Sequence, residues 1–396
     1  MEHEELGHWL RLTLAQGVGN EGARRLLSAF GPPESVFAQS PAALAQVASP
    51  AQVQGLLAEP PEWRALVETT WRWLNETSGG GPCAERRVIV LGDPQYPPSL
   101  LQTEDPPLVL YATGRLGAWS SYIQEASPHG IAMVGSRNPT PQGQATAREF
   151  ARQCSEAGWT VVSGLALGID SASHHGALDG ATAQPDALAT IAIVGTGLDR
   201  VYPKANLTLA HRIAEQGVIV SEYPLGTPPL SHNFPKRNRL ISGLSHGTLV
   251  VEAALKSGSL ITARFALEQG KEVFAVPGSI HSLQSRGCHE LIKQGAKLVE
   301  SVQDVFDELG PRNLRPARPL SRDAVDTVDT VDHEPQAPAD EDPLLEQIAF
   351  DPIGLDALST RTGMGAAHLQ VRLLELELGG HIARLPGGLF QRVAAG

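Results

Sequence analysis

The 396-residue sequence predicts an α/β fold whose main domain is a doubly wound, mostly parallel sheet. Two observations lead to this prediction. Short apolar runs alternate with segments of helical pattern, and each run ends in glycine, serine or charged residues. Runs that are apolar throughout are typical of strands covered on both faces. They span residues 131–134, 160–162, 191–194, 218–220, 248–251 and 273–276.

The ends of these strands are expected to form the functional site. Right-handed crossovers bring the carboxyl ends of parallel strands to one edge of a sheet, where ligands of such folds bind. We expect that edge to bind a polyanion through the loop residues that follow the strands. They are Gly135, Ser136, Arg137, Ser163, Gly164, Lys204, Asn206, Phe234, Lys236, Arg237, Arg239, Ser257, Gly258 and Ser259.

The segment from Ser221 to Gly278 contains the densest part of this pattern. Lys236, Arg237 and Arg239 precede an apolar helix predicted over residues 240–244. Ser257-Gly258-Ser259 precede a helix predicted over residues 260–269. The first turn of a helix has unpaired amides and a positive dipole end, so it attracts phosphate. The Ser/Gly turn could equally serve only as an N-cap.

Several of these residues have a structural alternative. Arg137 directly follows a buried strand, which favours a binding role over a buried ion pair with Asp170. Lys204 and Asn206 lie in a turn that Pro203 restrains, but the turn could be a solvated loop. Phe234 could stack on a base or plug its loop onto the core.

Further domains are expected on both sides of the sheet. Residues 1–80 predict an all-helical module of the SAM or helix-hairpin-helix kind, in which Gly17-Val18-Gly19 could bind phosphate or the module could dock a partner. Residues 77–82 predict a linker, and residues 85–310 the sheet domain. Residues 311–342 predict an acidic, Pro-rich linker with eight acids against four arginines.

The last segment, residues 343–396, predicts a winged helix made of three helices and a β-hairpin. A winged helix that reads DNA needs a basic third helix. Here Arg372 is accompanied by Glu375 and Glu377, so protein docking or autoregulation is favoured over DNA reading.

Composition argues against several classes of protein. The net charge of −12 argues against a protein that coats nucleic acid nonspecifically, although a local basic groove is compatible with it. The sequence has no run of 18 apolar residues, and its acidic start is unlike a signal peptide, so we expect a cytoplasmic protein without a membrane span. Three distant cysteines predict neither disulfides nor a zinc site, and no metal is expected.

An enzymatic role and a nucleotide cofactor are not expected. Gly195-Thr196-Gly197 lacks the third glycine of a dinucleotide fingerprint, and no phosphate-binding G-x-x-x-x-G-K-[ST] loop occurs. Ser163, Asp170 and His174 do not form a nucleophile with its base, because no nucleophile elbow is present. The sequence therefore predicts a protein that is not an enzyme and has no cofactor.

The motifs of the sheet domain resemble the DNA-processing protein A (DprA/Smf) family. The resemblance rests on seven blocks in order: GSR (135–137), SGLALGID (163–170), GLDRVYPKAN (197–206), SEYPLGTPP (221–229), FPKRNRLISGLS (234–245), residues 257–278 and GCHELIKQGAKLV (287–299). Residues 181–189 depart from the family as an apparent insertion.

This resemblance implies a protein of natural transformation, or competence, that binds incoming single-stranded DNA, protects it from nucleases and loads the RecA recombinase for DNA recombination. It also implies an extended Rossmann domain, a homodimer formed through that domain, and binding roles for Arg137, Ser163, Gly164, Lys204, Arg237 and Arg239. The alternative is a nucleoside-monophosphate-processing enzyme of the same fold. Its P-G-G-x-G-T-x-x-E block survives only in outline, at residues 245–252.

Overall fold

The computed structural model describes residues 1–76, 84–124, 129–181, 187–310, 342–348 and 353–393. The predicted linker 77–82, residues 311–341 of the second linker and residues 182–186 of the insertion lie outside the described residues. Contacts group Met1–Pro139 and Thr146–Val302 into one compact unit, and Thr140–Ala145 with the residues after Val302 into another. The domain boundaries drawn from sequence stay a prediction.

The first unit is built on a nine-stranded sheet with the strand order β1-β2-β6-β5-β4-β3-β7-β8-β9. Its strands are β1 Glu85–Val90, β2 Val109–Gly114, β3 Gly130–Val134, β4 Thr160–Ser163, β5 Thr190–Ile193, β6 Val218–Ser221, β7 Gly247–Val250, β8 Glu272–Ala275 and β9 Lys297–Leu298. Strands β3 to β9 pair in parallel, whereas β2 pairs antiparallel with both β1 and β6. The predicted α/β class with a mostly parallel sheet is confirmed.

The order of the strands locates the point where the winding reverses. From β3 the chain proceeds outward through β4, β5 and β6, and then returns to place β7 on the other side of β3. In the register, Ile131 of β3 lies opposite Val161 on one side and Gly247 on the other. Ligands of doubly wound folds bind in the crevice outside such a switch point. The carboxyl ends of β3 and β7 are therefore where a site is expected.

Helices accompany the sheet and precede it. The first six are α1 His3–Leu14, α2 Gly19–Phe30, α3 Pro33–Phe37, α4 Pro41–Leu44, α5 Pro50–Leu57 and α6 Trp63–Asn75. The sheet region contains α7 Leu116–Gln124, α8 Pro141–Glu156, α9 Ile169–Gly180, α10 Leu207–Gln216, α11 Asn233–Gly243, α12 Ser259–Glu268, α13 Arg286–Lys293 and α14 Val302–Leu309, with 3-10 helices at Pro98–Gln102 and Lys204–Asn206. None of the helices in the described ranges is long and apolar enough to span a membrane.

The N-terminal helices pack directly on the antiparallel end of the sheet. Leu6, Trp9 and Leu10 of α1 belong to the same buried cluster as Val88 of β1 and Tyr111 of β2. The predicted all-helical region is confirmed. Sequence analysis missed α3, a five-residue helix that begins with Pro33 at its first turn.

The second unit contains the predicted winged helix, which is confirmed. Its helices are α15 Pro343–Gln347, α16 Leu355–Thr362 and α17 Ala366–Leu378, and its strands are β10 Ile353–Gly354, β11 Ile382–Leu385 and β12 Leu389–Arg392. The strand order is β10-β12-β11, so a two-residue strand joins the predicted hairpin. Leu358, Leu369, Leu373 and Phe390 lie in its separate apolar core.

A buried ion-pair network connects three parts of the first unit. Arg239 of α11 donates to both carboxylate oxygens of Glu222, at 2.6 and 2.7 Å, and to the backbone carbonyl of Asp105 at 2.8 Å. The side chains of Arg239 and Glu222 are each only 5% exposed. The Asp105 carboxylate accepts from Asn20 at 3.0 Å and from Arg24 at 3.5 Å, both on α2. The network therefore ties the helical region to the sheet.

We predict that Glu222→Gln destabilises the protein by about 3 kcal/mol, because it removes the buried counter-charge of Arg239. The more exposed Asp105 carboxylate, 3.8 Å away, is then the negative charge that remains near Arg239. The free energy of unfolding in urea is the measurement. Glu59→Gln is the matched control, since Glu59 pairs with Arg64 on the surface and such pairs contribute about 0–1 kcal/mol. A loss no larger than that of the control would show that the network does not hold these parts together.

Candidate nucleic-acid interface

A cleft of about 430 Å³ opens at the switch point between β3 and β7. Its walls come from the loop after β3, the loop after β7 and the first turns of α11 and α12. The lining residues are Val134, Gly135, Ser136, Arg137, Ala166, Asp170, Phe234, Pro235, Arg237, Asn238, Ile241, Ala254, Lys256, Ser257, Gly258, Ser259, Thr262 and Gln284. Eight of the fourteen predicted site residues are among them.

The loop after β3 places Arg137 at the mouth of the cleft. Gly135 is required there, because a Cβ atom would lie 2.6 Å from Ile169 and 2.8 Å from the Glu252 carbonyl. The backbone amide of Ser136 donates to that same carbonyl at 2.6 Å, which fixes the loop on the neighbouring strand. Arg137 is exposed, with its guanidinium carbon 5.9 Å from the centroid of the Phe234 ring. The buried ion pair considered as the alternative role of Arg137 is therefore wrong.

Phe234 packs onto the core of its domain, one of the two roles considered for it, and its ring stays accessible from the cleft. One side of its ring packs against Gly195, where a Cβ atom would lie 3.1 Å from the ring, and the ring lies 5.5 Å from that of Tyr202 between centroids. The side chain nevertheless remains half-buried and lines the cleft. Tyr202 is 47% exposed, so two aromatic rings and an arginine form one stacking surface beside the cleft.

The opposite wall is the first turn of α12. Ser257, Gly258 and Ser259 line the cleft together with Lys256. The hydroxyls of Ser257 and Ser259 lie 2.7 Å apart, and Asn238 of α11 donates to the Gly258 carbonyl at 3.3 Å. Two hydroxyls, an ammonium group and the positive end of the helix dipole on one wall favour an anionic ligand.

The floor of the cleft is a buried cation beside a buried carboxylate. Arg237 is 4% exposed and donates to the Gly164 carbonyl at 2.5 Å and to the Ile193 carbonyl. A Cβ atom at Gly164 would collide with the guanidinium, so only glycine admits Arg237. Burial lowers the pKa of Arg237 to about 10, which leaves it charged at neutral pH. Burial raises the pKa of Asp170 above its usual range, although Arg237 opposes the shift.

Two predicted residues at the same edge have structural contacts instead of lining the cleft. Ser163 is fully buried and donates to the Met133 carbonyl at 2.6 Å, joining β4 to β3. Asn206 is buried and donates to the carbonyls of Leu165 at 2.9 Å and Ala166 at 3.3 Å. Leu165 has a φ of 57°, which is unfavourable for leucine, so Asn206 holds a strained loop in place.

The side chains of Lys236, Arg237 and Arg239 do not point toward one site. Sequence analysis placed Lys236 and Arg237 in a turn before a helix, but α11 begins at Asn233 and includes them. Successive helical residues point about 100° apart, so these side chains must diverge. Arg237 points into the cleft floor, Arg239 points to Glu222, and Lys236 lies 3.6 Å from the Asp105 carboxylate. Lys204 is exposed and also lies outside the cleft lining.

Sequence analysis missed five lining residues with polar or charged side chains, one of them Thr262 of α12. Lys256 directly precedes the Ser/Gly turn, so its position in the sequence could have identified it. Asp170 was assigned only as a possible ion-pair partner or part of a hydrolytic set. Asn238 lies among the cations of the predicted turn and has no charge that would mark it as a binding residue. Gln284 gave no signal, because it reaches the cleft from a distant loop and accepts from Ser136 at 3.4 Å. Within the described ranges, no three histidine, cysteine or acidic residues gather where they could hold a metal ion.

The cleft and the winged helix, apart from β12, lie in segments that match known families. Residues 87–310 match the family model of DNA recombination-mediator protein A, and residues 329–388 match that of the DprA winged helix domain. The protein Smf of Escherichia coli is 40% identical over 338 residues, which are 85% of this chain and 83% of that protein. The DNA processing protein DprA of Bacillus subtilis is 42% identical over 233 residues, 59% of this chain and 74% of that one.

A solved structure agrees with these matches. DNA processing protein A of Streptococcus pneumoniae superposes with a TM-score of 0.62 at 33% identity, covering 75% of this chain and 95% of that one. The family match extends over the whole sheet domain, including both loops that form the cleft. The chain therefore belongs to the DNA-processing protein A (DprA/Smf) family.

Proposed function

We propose that this protein binds single-stranded DNA in the cleft at the β3/β7 switch point and acts as a recombination mediator. The observation that supports this most is the residue content of the cleft. Arg137, Lys256 and Arg237 provide three cations, and Asp170 is the one carboxylate among the lining residues. A positively charged cleft inside an acidic protein attracts a polyanion at that place and not over the whole surface.

The stacking surface favours single strands over duplex. Base faces are accessible only when a strand is unpaired, and aromatic rings bind them with little regard to sequence. Phe234 lies beside the guanidinium of Arg137, and Tyr202 lies on Phe234, so a phosphate and its base could be bound together. This arrangement suits a protein that must accept any incoming sequence.

Family membership supports the remaining parts of the proposal. A recombination mediator would protect the bound strand from nucleases and load RecA onto it during natural transformation, in the cytoplasm. A homodimer would present two clefts to the same strand. Simultaneous binding at two linked sites raises apparent affinity well above that of one.

The protein is proposed to act without catalysis. Asp170 is buried and accepts from the Ala166 amide at 3.3 Å, a position that suits charge balance beneath the ligand. His174, the nearest histidine in the sequence, lies buried and contacts Thr190 at 2.7 Å. Burial lowers the pKa of His174 to about 3, so it stays neutral. Neither group is arranged as a base beside a nucleophile.

Arg137→Ala is expected to weaken binding of a single-stranded oligonucleotide at least about tenfold, since a charged hydrogen bond is lost. The slope of log affinity against log salt should flatten by about 0.7 for each phosphate contact removed. Fluorescence anisotropy at several salt concentrations measures both. Arg64→Ala, which removes an exposed arginine of the helical region, is the matched control. An unchanged slope in Arg137→Ala would remove this residue from the site.

Lys204→Ala should have a smaller effect than Arg137→Ala in the same titrations, because Lys204 lies outside the cleft lining. An equal loss in both variants would contradict a site confined to the cleft and would extend the bound strand toward β5.

Asp170→Asn is expected to tighten binding about fivefold at a pH where Asp170 is ionised, because it removes a negative charge beneath the cleft. Unfolding of the variant in urea is measured alongside, since the substitution also removes a counter-charge of the buried Arg237. The raised pKa of Asp170 adds a pH dependence. As pH falls, Asp170 becomes protonated and loses its charge. The DNA affinity of the wild type should then approach that of Asp170→Asn, and the difference in affinity between the two proteins should narrow. Asp179→Asn, which alters a surface carboxylate paired with Arg148, is the control. If the two proteins bind DNA equally well, or if their difference in affinity does not change with pH, Asp170 does not act as a titrating negative charge in the floor of the cleft.

The enzymatic alternative predicts turnover. Purified protein incubated with a panel of nucleoside monophosphates should release no free base by liquid chromatography. Base release that exceeds the blank and disappears in Asp170→Asn would favour a nucleotide-processing enzyme and overturn the proposal that the protein is not catalytic.

A further inference from the structure

The third helix of the winged helix, α17, has two apolar faces. Leu369, Leu373 and Leu376 are buried in the core of this unit. On the other side of the helix, Ala367, Val371, Leu374 and Leu378 are exposed, the last three by 58, 55 and 81%. Residues two positions apart lie about 200° around a helix, so these faces point in nearly opposite directions.

The spacing of the exposed face is that of a helix–helix seam. Ala367, Val371, Leu374 and Leu378 follow one another at intervals of four, three and four residues. These intervals average about 3.7 residues, close to the 3.6 residues of one helical turn, so they keep a continuous apolar stripe along one line of the helix. A stripe of this regularity over three turns differs from the scattered apolar residues of an ordinary surface.

The charges beside the stripe indicate what covers it. Glu375 and Glu377 flank it, and Arg372 already pairs with Asp342 and Glu375 within the same chain. These acids disfavour the phosphates of a DNA groove, the usual partner of a third winged-helix helix. His368 and Gln370 flank the other end of the stripe. The face is therefore acidic near one end of the helix and has a histidine and an amide near the other.

This face of α17 is complementary to the same face of a second copy when the two helices run antiparallel. In an antiparallel pair centred between Val371 and Leu374, His368 faces Glu375 of the second copy and Gln370 faces Glu377 of the second copy. A parallel pair would place Gln370 beside Glu375 and would leave His368 without an acid across the seam. The antiparallel pair also opposes the helix dipoles.

We propose that α17 is a contact between two copies of this protein, formed by antiparallel packing of the Ala367, Val371, Leu374 and Leu378 stripe on itself. The contact is isologous, as in most symmetric dimers. A contact of four residues per helix buries far less surface than the about 1,600 Å² of a standard interface, so it is weak in isolation. It gains strength when another interaction, such as a shared DNA strand, already holds two copies together.

Disulfide trapping tests the contact and its direction. Two proteins, Val371→Cys and Leu374→Cys, are made in full-length Cys83→Ser. Each then has one exposed cysteine, the engineered one, besides the buried Cys154 and Cys288. The antiparallel register predicts that mixing the two gives several-fold more disulfide-linked dimer under mild oxidation than either protein alone, by non-reducing electrophoresis. Adding Leu378→Glu to both proteins should reduce that yield several-fold.

The matched control replaces Leu374→Cys with Leu57→Cys, a leucine on α5 of similar exposure at 52%. If the mixture yields no more dimer than this control, the stripe is not a contact between copies and must bind a different protein. If each of the two cysteine variants alone gives as much disulfide-linked dimer as the mixture, the antiparallel arrangement is wrong. The trapping is done without DNA, so its outcome does not depend on DNA binding in the cleft.

Discussion

The buried guanidinium of Arg237 is the interaction on which the geometry of the cleft depends. It joins the ends of β4 and β5 by donating to the carbonyls of Gly164 and Ile193, and it forms the cleft floor at the same time. A buried charge is costly unless it is paired and hydrogen-bonded. The Asp170 carboxyl group interacts electrostatically with Arg237, and Gly164 leaves space for the guanidinium.

Helix α11 directs its two buried arginines, Arg237 and Arg239, to different places. Because Arg237 and Arg239 are two residues apart on a helix, they point in nearly opposite directions. One charges the cleft, and the other anchors Glu222 and the loop that contacts the N-terminal helices. The same helix therefore couples the position of the cleft to the packing of the helical region.

Much of the fold could be predicted from the sequence, because buried parallel strands leave short apolar runs with Gly- and Ser-rich ends. The winged helix could be predicted for similar reasons. The strand order could not, since nothing local in the sequence of β2 shows that it pairs with β6. The cleft was predicted in part. Arg137 closely follows β3 and Ser257 to Ser259 come at the end of the loop after the neighbouring β7, so topology brings them to the same edge.

The rest of the cleft required three-dimensional information. The turn predicted for Lys236 was wrong because Pro235 is tolerated in the first turn of a helix, so α11 starts earlier than its apolar residues. Asn206 has the same residue type as a binding residue, yet its amide is used by the strained loop at Leu165. Gln284 arrives through a long-range contact. Residue type and position at a strand end do not reveal which way a side chain points.

The most direct measurement of the central claim is photocrosslinking of a bromodeoxyuridine-substituted single strand to the full-length protein, with the linked peptides identified by mass spectrometry. The account predicts crosslinks in the peptides that contain Phe234 and Tyr202, competed by unlabelled single strand and lost at high salt. Crosslinks confined to α17, or to the Gly17–Gly19 loop of the helical region, would contradict it.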